Sequence, residues 1–208
     1  QSEDASPGAL RGTAMHRIME CYQFSSGVSA KEQVAGMLEK EQITPEMHGL
    51  IRIPQVEYFV NADIGKRMGA AEKDGKLYRE KPFVMGFTEE ELENYGFGAG
   101  AQMIENEVQT ENAQQEIVLE NVSRENHMHE EDLTLIQGII DVFWIEDDGI
   151  TVLDYKTDRV DTAQELIDRY ATQLKLYADA LERVFVARKL KVKEILIYSF
   201  SLEQLITL

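Results

Sequence analysis

The chain has 208 residues, 43% hydrophobic and 28% charged, enough to bury one core and too apolar for a disordered chain. Its single cysteine, Cys21, excludes a disulfide framework, an all-cysteine structural zinc site and a four-cysteine iron–sulfur cluster. Acidic residues outnumber basic ones 38 to 21, a net charge of −17 that, taken as one number, argues against a nucleic-acid partner. Helical periodicity comes first. Leu10, Met15, Ile18, Met19 and Tyr22 share a side of a helix over about Gly8–Phe24. Ser29 starts a second helix, with Glu32 as capping-box partner, that runs to about Gln42; Thr44 caps a third with Pro45 at its first position. A break near Pro54 leads to a helix ending about Asn61, and Ile64–Glu72 reads as one more. The period then shortens: Leu77–Met85 is a strand ended by Gly86, with Pro82 marking an edge or a bulge. An acidic excursion follows, with a loose run at Asn94–Gly100 and two polar helical stretches. Leu135–Ile145 and Ile150–Thr157 are strands joined across Glu146-Asp147-Asp148-Gly149, apolar enough to be covered on both faces. A long helix over about Thr162–Arg188 and a strand over Val192–Phe200 complete a mixed sheet flanked by helices.

The charge is unevenly placed. Between Phe87 and Leu133 thirteen acidic side chains face Arg124 alone, whereas Thr151–Lys193 carries nine bases against seven acids. Net charge therefore leaves DNA open as a partner and predicts weak, salt-sensitive binding by this piece alone. No apolar run approaches the ~20 residues that cross a bilayer, and no signal-peptide pattern is present. A soluble, reducing, cytoplasmic setting is the expectation. The start at Gln1 rather than Met reads as part of a longer chain.

Chemistry concentrates in the hairpin. Asp141 lies within Ile139-Ile140-Asp141-Val142-Phe143, and Asp154 and Lys156 within Val152-Leu153-Asp154-Tyr155-Lys156. A carboxylate in an apolar strand costs several kcal/mol unless it is paired or metal-bound. Asp154 and Lys156 are two apart and share a face. A two-residue Asp148-Gly149 turn would pair Asp141 with Lys156; a four-residue Glu146–Gly149 loop would pair Asp141 with Asp154. Either puts all three on one face, and a slip of one residue sends Asp141 to the other. Two close carboxylates repel unless a cation sits between them, and hard oxygen ligands suit Mg2+ or Mn2+. Such a metal can bind a phosphate oxygen and activate water, while the lysine orients or deprotonates that water or offsets charge on the phosphorane. A buried Asp–Lys ion pair is the competing reading. On the first helix Gly12 and His16 share a face, and on the long helix Tyr170, Gln173 and Tyr177 do.

In this order, Gly12-x-x-x-His16, Gly138-Ile-Ile-Asp141, Asp154-Tyr-Lys156-Thr157 and Gln173-x-x-x-Tyr177 resemble the RecB-type branch of the PD-(D/E)XK nuclease superfamily, over about Gly8 to Phe200. Arg79-Glu80-Lys81-Pro82-Phe83 and Asp154-Tyr-Lys-Thr-Asp-Arg159 resemble most the C-terminal nuclease domain of AddA/RexA-type helicase–nuclease subunits. The resemblance implies a restriction-endonuclease-like α/β fold in one domain over 1–208. Its parts are N-terminal helices (8–72), a first strand (77–86), an acidic insertion (87–133), and the catalytic hairpin, helix and last strand (134–200). It implies that His16, Asp141, Asp154 and the Tyr155 carbonyl bind Mg2+ or Mn2+, that Asp141, Asp154 and Lys156 are catalytic, and that Gln173, Tyr177, Tyr170 and Thr157 position the site or the DNA. Glu80 is a further metal or supporting candidate.

The implied activity is a metal-dependent DNA exonuclease in double-strand break processing and recombinational repair. The implied partners are DNA, the helicase portion of a parent chain and a second AddB/RexB-like subunit, in the bacterial cytoplasm and at the nucleoid during repair. Partner-type subunits of the family often carry an iron–sulfur cluster, which one cysteine cannot hold. Two features depart from the family: the acidic segment exceeds what the core needs, and no Gly-x-x-x-x-Gly-Lys-[Ser/Thr] is present, so no ATP site of that kind is expected. The alternatives are an inactive scaffold of the same fold and an acidic protein-interaction module. His127 and His129 read as a solvated polar loop, Trp144 as core and Cys21 as an inert buried thiol.

Overall fold

The structure is a computed structural model and describes residues 7–96, 118–121 and 133–208. Five helices come first: α1 (Pro7–Cys21), α2 (Ala30–Glu39), α3 (Pro45–Leu50), α4 (Ile53–Asn61) and α5 (Asp63–Lys73). Their boundaries follow the capping chemistry. Ser29 and Glu32 form a reciprocal capping box on α2, and Thr44 accepts the Met47 N–H at the start of α3. The first helix stops at Cys21, short of the expected Phe24, because the chain turns there. Gly65 lets α4 and α5 meet: a Cβ there would lie 2.4 Å from the Val60 carbonyl oxygen.

The remaining elements are β1 (Leu77–Phe87), a short α6 (Glu89–Glu93), β2 (Val118–Asn121), β3 (Thr134–Glu146), β4 (Gly149–Lys156), α7 (Ala163–Val184), β5 (Val192–Ser199) and β6 (Gln204–Thr207). They form one mixed sheet in the order β1-β3-β4-β5-β6, with β2 also on β3; among the described residues, β4 and β5 are the one parallel pair. This is a restriction-endonuclease-like α/β fold. The parallel step is the one crossed over by α7, as a βαβ connection requires.

Alternation along β4 divides two cores. Leu153 and Tyr155 join Val142 and Trp144 under α1, α2, α4 and α5, with Phe59 and Met68 at the centre. Ile150 and Val152 join Phe143 under α7, whose Leu166, Tyr170, Leu174, Tyr177 and Leu181 form the apolar stripe. Burying one such Leu stabilises by about 1.5–3 kcal/mol.

Several expectations need correction. The long helix ends at Val184, and the rest of its expected length is a 3-10 turn at Val186–Arg188 closed by Lys189 in the left-handed region. β1 runs on through Gly86 to Phe87; it is an edge strand, as Pro82 suggests, and its left-handed residue is Glu80. β4 is buried throughout, but before Ile140 the cover of β3 is partial: Ile136 is buried beside Phe87 and Leu176, while Ile139 is 37% exposed on the wall of an open cleft. The sequence pattern lacks β2 and β6; α6, opened by a Thr88–Glu91 capping box, is a short polar helix within the acidic excursion. Trp144 is core, and Cys21 is half-buried, with burial pushing its thiol up. Most of the 87–133 excursion, most of the Asn94–Gly100 run, and His127 and His129 lie outside the described residues.

Candidate active site

Strands β3 and β4 pair from Glu146↔Gly149 to Val142↔Leu153. That is the second of the two registers considered, and it sets Asp141 opposite Asp154 one step beyond the last pair. There the strands part. Past the fork, β3 keeps β1 on one side and takes β2 on the other, while β4 keeps β5. Asp154 and Lys156 continue the Ile150–Val152 row on the α7-facing side, whereas alternation along β3 breaks at Asp141: Ile140 and Phe143 both join the α7 core, and Asp141 is met by His16 from the other layer. The fork leaves ladder groups without strand partners, and Asp141 meets one of them: its Oδ2 accepts the Tyr155 N–H at 2.9 Å.

On the other flank Arg79↔Val142 and Lys81↔Ile140 bracket Glu80, which stands opposite Asp141. Glu80 has φ +46°, a left-handed residue in an edge strand, which turns its side chain out of simple alternation. Three carboxylates thus lie in a row across three adjacent strands. From the opposite layer α1 sends in His16, whose Nδ1 lies 3.4 Å from Asp141 Oδ2. Ligand atoms of His16, Glu80 and Asp141 all fall within 4.8 Å of one another.

Lys156 Nζ sits 2.8 Å from Asp154 Oδ2 and 4.0 Å from the centroid of the Tyr170 ring. All of Asp141, Asp154 and Lys156 are nearly fully buried, and Asp154 Oδ1 has no hydrogen-bond partner among the described residues. Burial pushes the Asp154 carboxyl up to about 6, with Asp141 adding repulsion and Lys156 opposing. Burial and the charge on Asp141 raise Glu80 to about 7. Burial alone would raise Asp141 too, but the charge and hydrogen bond of His16, helped by Lys156 and the Tyr155 N–H, hold it below its ordinary value. Burial disfavours the His16 imidazolium, and Asp141 outweighs it, so His16 is raised. An acid row held partly protonated, with one carboxylate oxygen orphaned in the interior, is the donor set a hard divalent cation satisfies.

The other predicted residues surround this row. Tyr170 packs on Lys156 and donates its hydroxyl to Asp158 at 2.9 Å, where Arg169 also donates at 2.9 Å. Gln173 Nε2 donates to the Tyr177 hydroxyl at 2.5 Å. The Tyr177 ring meets Phe83 edge-on at 5.5 Å. Gly138 lies beneath them, where a Cβ would come within 3.1 Å of the Phe83 ring and 3.4 Å of the Tyr177 ring. Tyr155 gives its N–H to Asp141, and its ring lies in the helical core beside Phe59. Thr157 is buried, with its carbonyl turned to the Arg11 guanidinium at 2.9 Å, apart from the row. Asp158, which orients Tyr170, was missed as a site residue; its signal was an acid directly after the Asp-x-Lys-Thr run. An open cleft of about 490 Å³ reaches the row through His16 and Glu80.

Comparison with known proteins adds an independent finding. A family model described as the PD-(D/E)XK nuclease superfamily matches residues 1–204. Among curated proteins, the chain is 34% identical over 211 residues to an ATP-dependent helicase/nuclease subunit of Lachnoclostridium phytofermentans, covering 94% of this chain. Proteins of the same name from Clostridium perfringens and Bacillus cereus are 30% and 33% identical over 98% and 93% of this chain. The chain spans 14% of the length of each of these relatives.

Proposed function

We propose that this chain, which belongs to the PD-(D/E)XK nuclease superfamily, is a metal-dependent deoxyribonuclease domain that hydrolyses phosphodiester bonds. The observation that carries the reading is the Glu80–Asp141–Asp154 row, capped by His16 on one side and by Lys156 on the other. His16, Asp141, Asp154 and the Tyr155 carbonyl would hold Mg2+ or Mn2+, with Glu80 as a further ligand. Bound there, a divalent ion polarises a phosphoryl oxygen and lowers the pKa of a water molecule.

The chain's own groups do the rest. Asp141 is fixed by the Tyr155 N–H, so its carboxylate is held in place before substrate arrives. Lys156, nearly dry and packed on the Tyr170 ring, points its ammonium along the Asp154 carboxylate. From there it orients the attacking water or offsets charge on the pentavalent phosphorus. Gln173 and Tyr177, locked to each other, brace the wall above Gly138 and position the strand. All family motif positions are filled, which favours an active enzyme over an inactive scaffold.

In its biological setting the domain would work beside the helicase portion of a longer chain and an AddB/RexB-like second subunit. It would trim DNA as an exonuclease during double-strand break processing and recombinational repair in the bacterial cytoplasm. The test is cleavage of single-stranded DNA with Mn2+ or Mg2+. Activity that needs the metal and vanishes in Asp154→Ala and Lys156→Ala supports the reading. Metal binding without cleavage in the unaltered chain refutes it in favour of a scaffold.

A further inference from the structure

A second concavity, of about 200 Å³, opens where β4 ends. Three arginines from three separate places line it: Arg11 of α1, Arg52 at the start of α4, and Arg159 after β4, with Gln55, Thr157 and Ser201 between them. Among the described residues no carboxylate lines it. The chain carries a net charge of −17, and its arginines are mostly neutralised. Among the described residues Arg17, Arg67, Arg79, Arg169 and Arg183 each pair with an acid. Of the four described arginines outside those pairs, three converge here and the fourth is Arg188. The nearest acid in sequence, Asp158, accepts from Tyr170 and Arg169 at Oδ1, and its Oδ2 is buried with no hydrogen-bond partner among the described residues, so it does not pair with Arg159. Three gathered guanidiniums with no counter-charge in the concavity repel one another, and an anion with several oxygens relieves that repulsion.

The position relative to the active row is defined by α1. Thr13, His16, Arg17 and Glu20 face the active cleft, whereas Arg11 and Met15 lie on the opposite side of the same helix. A helix with its side chains is about 10 Å across, so the two concavities are separated by more than one nucleotide step. Thr157, the residue after Lys156, ties them together through the hydrogen bond from Arg11 to its carbonyl.

We propose that Arg11, Arg52 and Arg159 form a phosphate-binding subsite for the strand being cut, gripping a backbone phosphate more than one nucleotide from the scissile bond. The proposal deepens the nuclease reading and rests on it. It supplies local positive charge that the acidic chain as a whole lacks, and it makes substrate affinity depend on strand length.

The test measures binding of an oligo-dT strand by fluorescence anisotropy over a salt series, without divalent metal so that the strand stays intact. Arg52→Gln with Arg159→Gln is expected to raise Kd about tenfold and to flatten the log–log salt slope by about 0.7, the share of one single-strand phosphate contact. With Mn2+ present, KM for the strand rises and kcat holds. Arg188→Gln, at the far end of β5, leaves all of these unchanged. Unaltered Kd and slope in the double variant overturn the subsite, as does an equal loss in Arg188→Gln, which would mark a net-charge effect. Arginine-dependent binding by a chain that fails to cut with Mn2+ or Mg2+ supplied would sink the nuclease reading and spare the phosphate pocket. Full cleavage with wild-type behaviour of the double variant would do the reverse.

Discussion

The backbone N–H of Tyr155 donates to Asp141 Oδ2 at 2.9 Å across the point where β3 and β4 part. This one hydrogen bond gives Asp141 two jobs, since it satisfies a ladder donor that the fork has orphaned and also fixes a proposed metal ligand. Like-charge repulsion alone suggests that removing either aspartate relaxes the metal-free protein. The structure separates the two. Asp141→Ala strands a buried N–H and leaves His16 without its partner, so it is expected to destabilise by about 1–3 kcal/mol. Asp154→Asn removes a penalised charge but also weakens the ion pair to the buried Lys156, so its net cost is expected to be smaller than that of Asp141→Ala. Urea unfolding of both variants checks this, and an Asp141→Ala protein as stable as the parent contradicts it.

Asp154 also sets a pH dependence. Its carboxyl is raised from 3.8 to about 6, so between those values the folded chain binds more protons than the unfolded one. Stability from this residue is present below about 4 and is lost as pH rises through about 6. Thermal melts of the metal-free protein should show that decline, and Asp154→Asn should flatten it. An unchanged slope in the variant would assign the decline elsewhere.

Glu146 works in the opposite sense. Arg67 donates to it at 2.7 Å and Lys193 Nζ lies 2.9 Å away, which together hold its carboxyl at about 2. Its contribution is present above its ordinary 4.5 and is lost as pH falls toward 2. Glu146→Gln is expected to lower stability at pH 6 and to reduce the loss between pH 4.5 and 2. Melting temperatures on both sides of that window decide it.

Lys156 should separate binding from chemistry. Lys156→Met keeps the buried stem and the Tyr170 contact surface but removes the ammonium. Calorimetric titration with Mn2+ is expected to give affinity equal to or tighter than the parent, with cleavage slowed by about 10²-fold or more. Loss of metal binding in step with activity would place Lys156 among the structural supports instead.

Gly138→Ala probes the wall. The new methyl would press on Phe83 at 3.1 Å and Tyr177 at 3.4 Å, so these rings must shift by a few tenths of an ångström. A stability cost of about 1 kcal/mol is expected, in the range of mild overpacking, with a fall in cleavage and unchanged Mn2+ affinity. Wild-type cleavage at wild-type stability would show that the wall does not position the strand.

The register was legible because a period of two limits the choices: Asp154 and Lys156 had to share a face, and one of the two plausible turns sets Asp141 opposite Asp154; the break in alternation that sends both Ile140 and Phe143 to the α7 core carries no sequence signal. Glu80 was legible only by resemblance. Its place opposite Asp141 depends on a long-range pairing and on a left-handed backbone that a glutamate before Lys81-Pro82 does not announce. Strand β6 was hidden for a different reason: four residues with one buried side chain carry too little pattern, and the strand exists because it covers the open edge of β5. The expected cover on both faces of β3 fails at Ile139 because that residue borders the cleft, where solvent replaces a packing partner; Ile136 on the same strand stays buried.

The two cores lie on opposite sides of the sheet, and the proposed ligands are drawn from both. His16 arrives with the first layer, and Asp154 and Lys156 belong to the side that α7 closes. During synthesis the ribosome releases His16 first, then Glu80 and Asp141, and the remaining aspartate and the lysine only with β4. A half-translated chain therefore carries neither the full set of proposed ligands nor the Lys156 amine, and both layers must dock before the site closes.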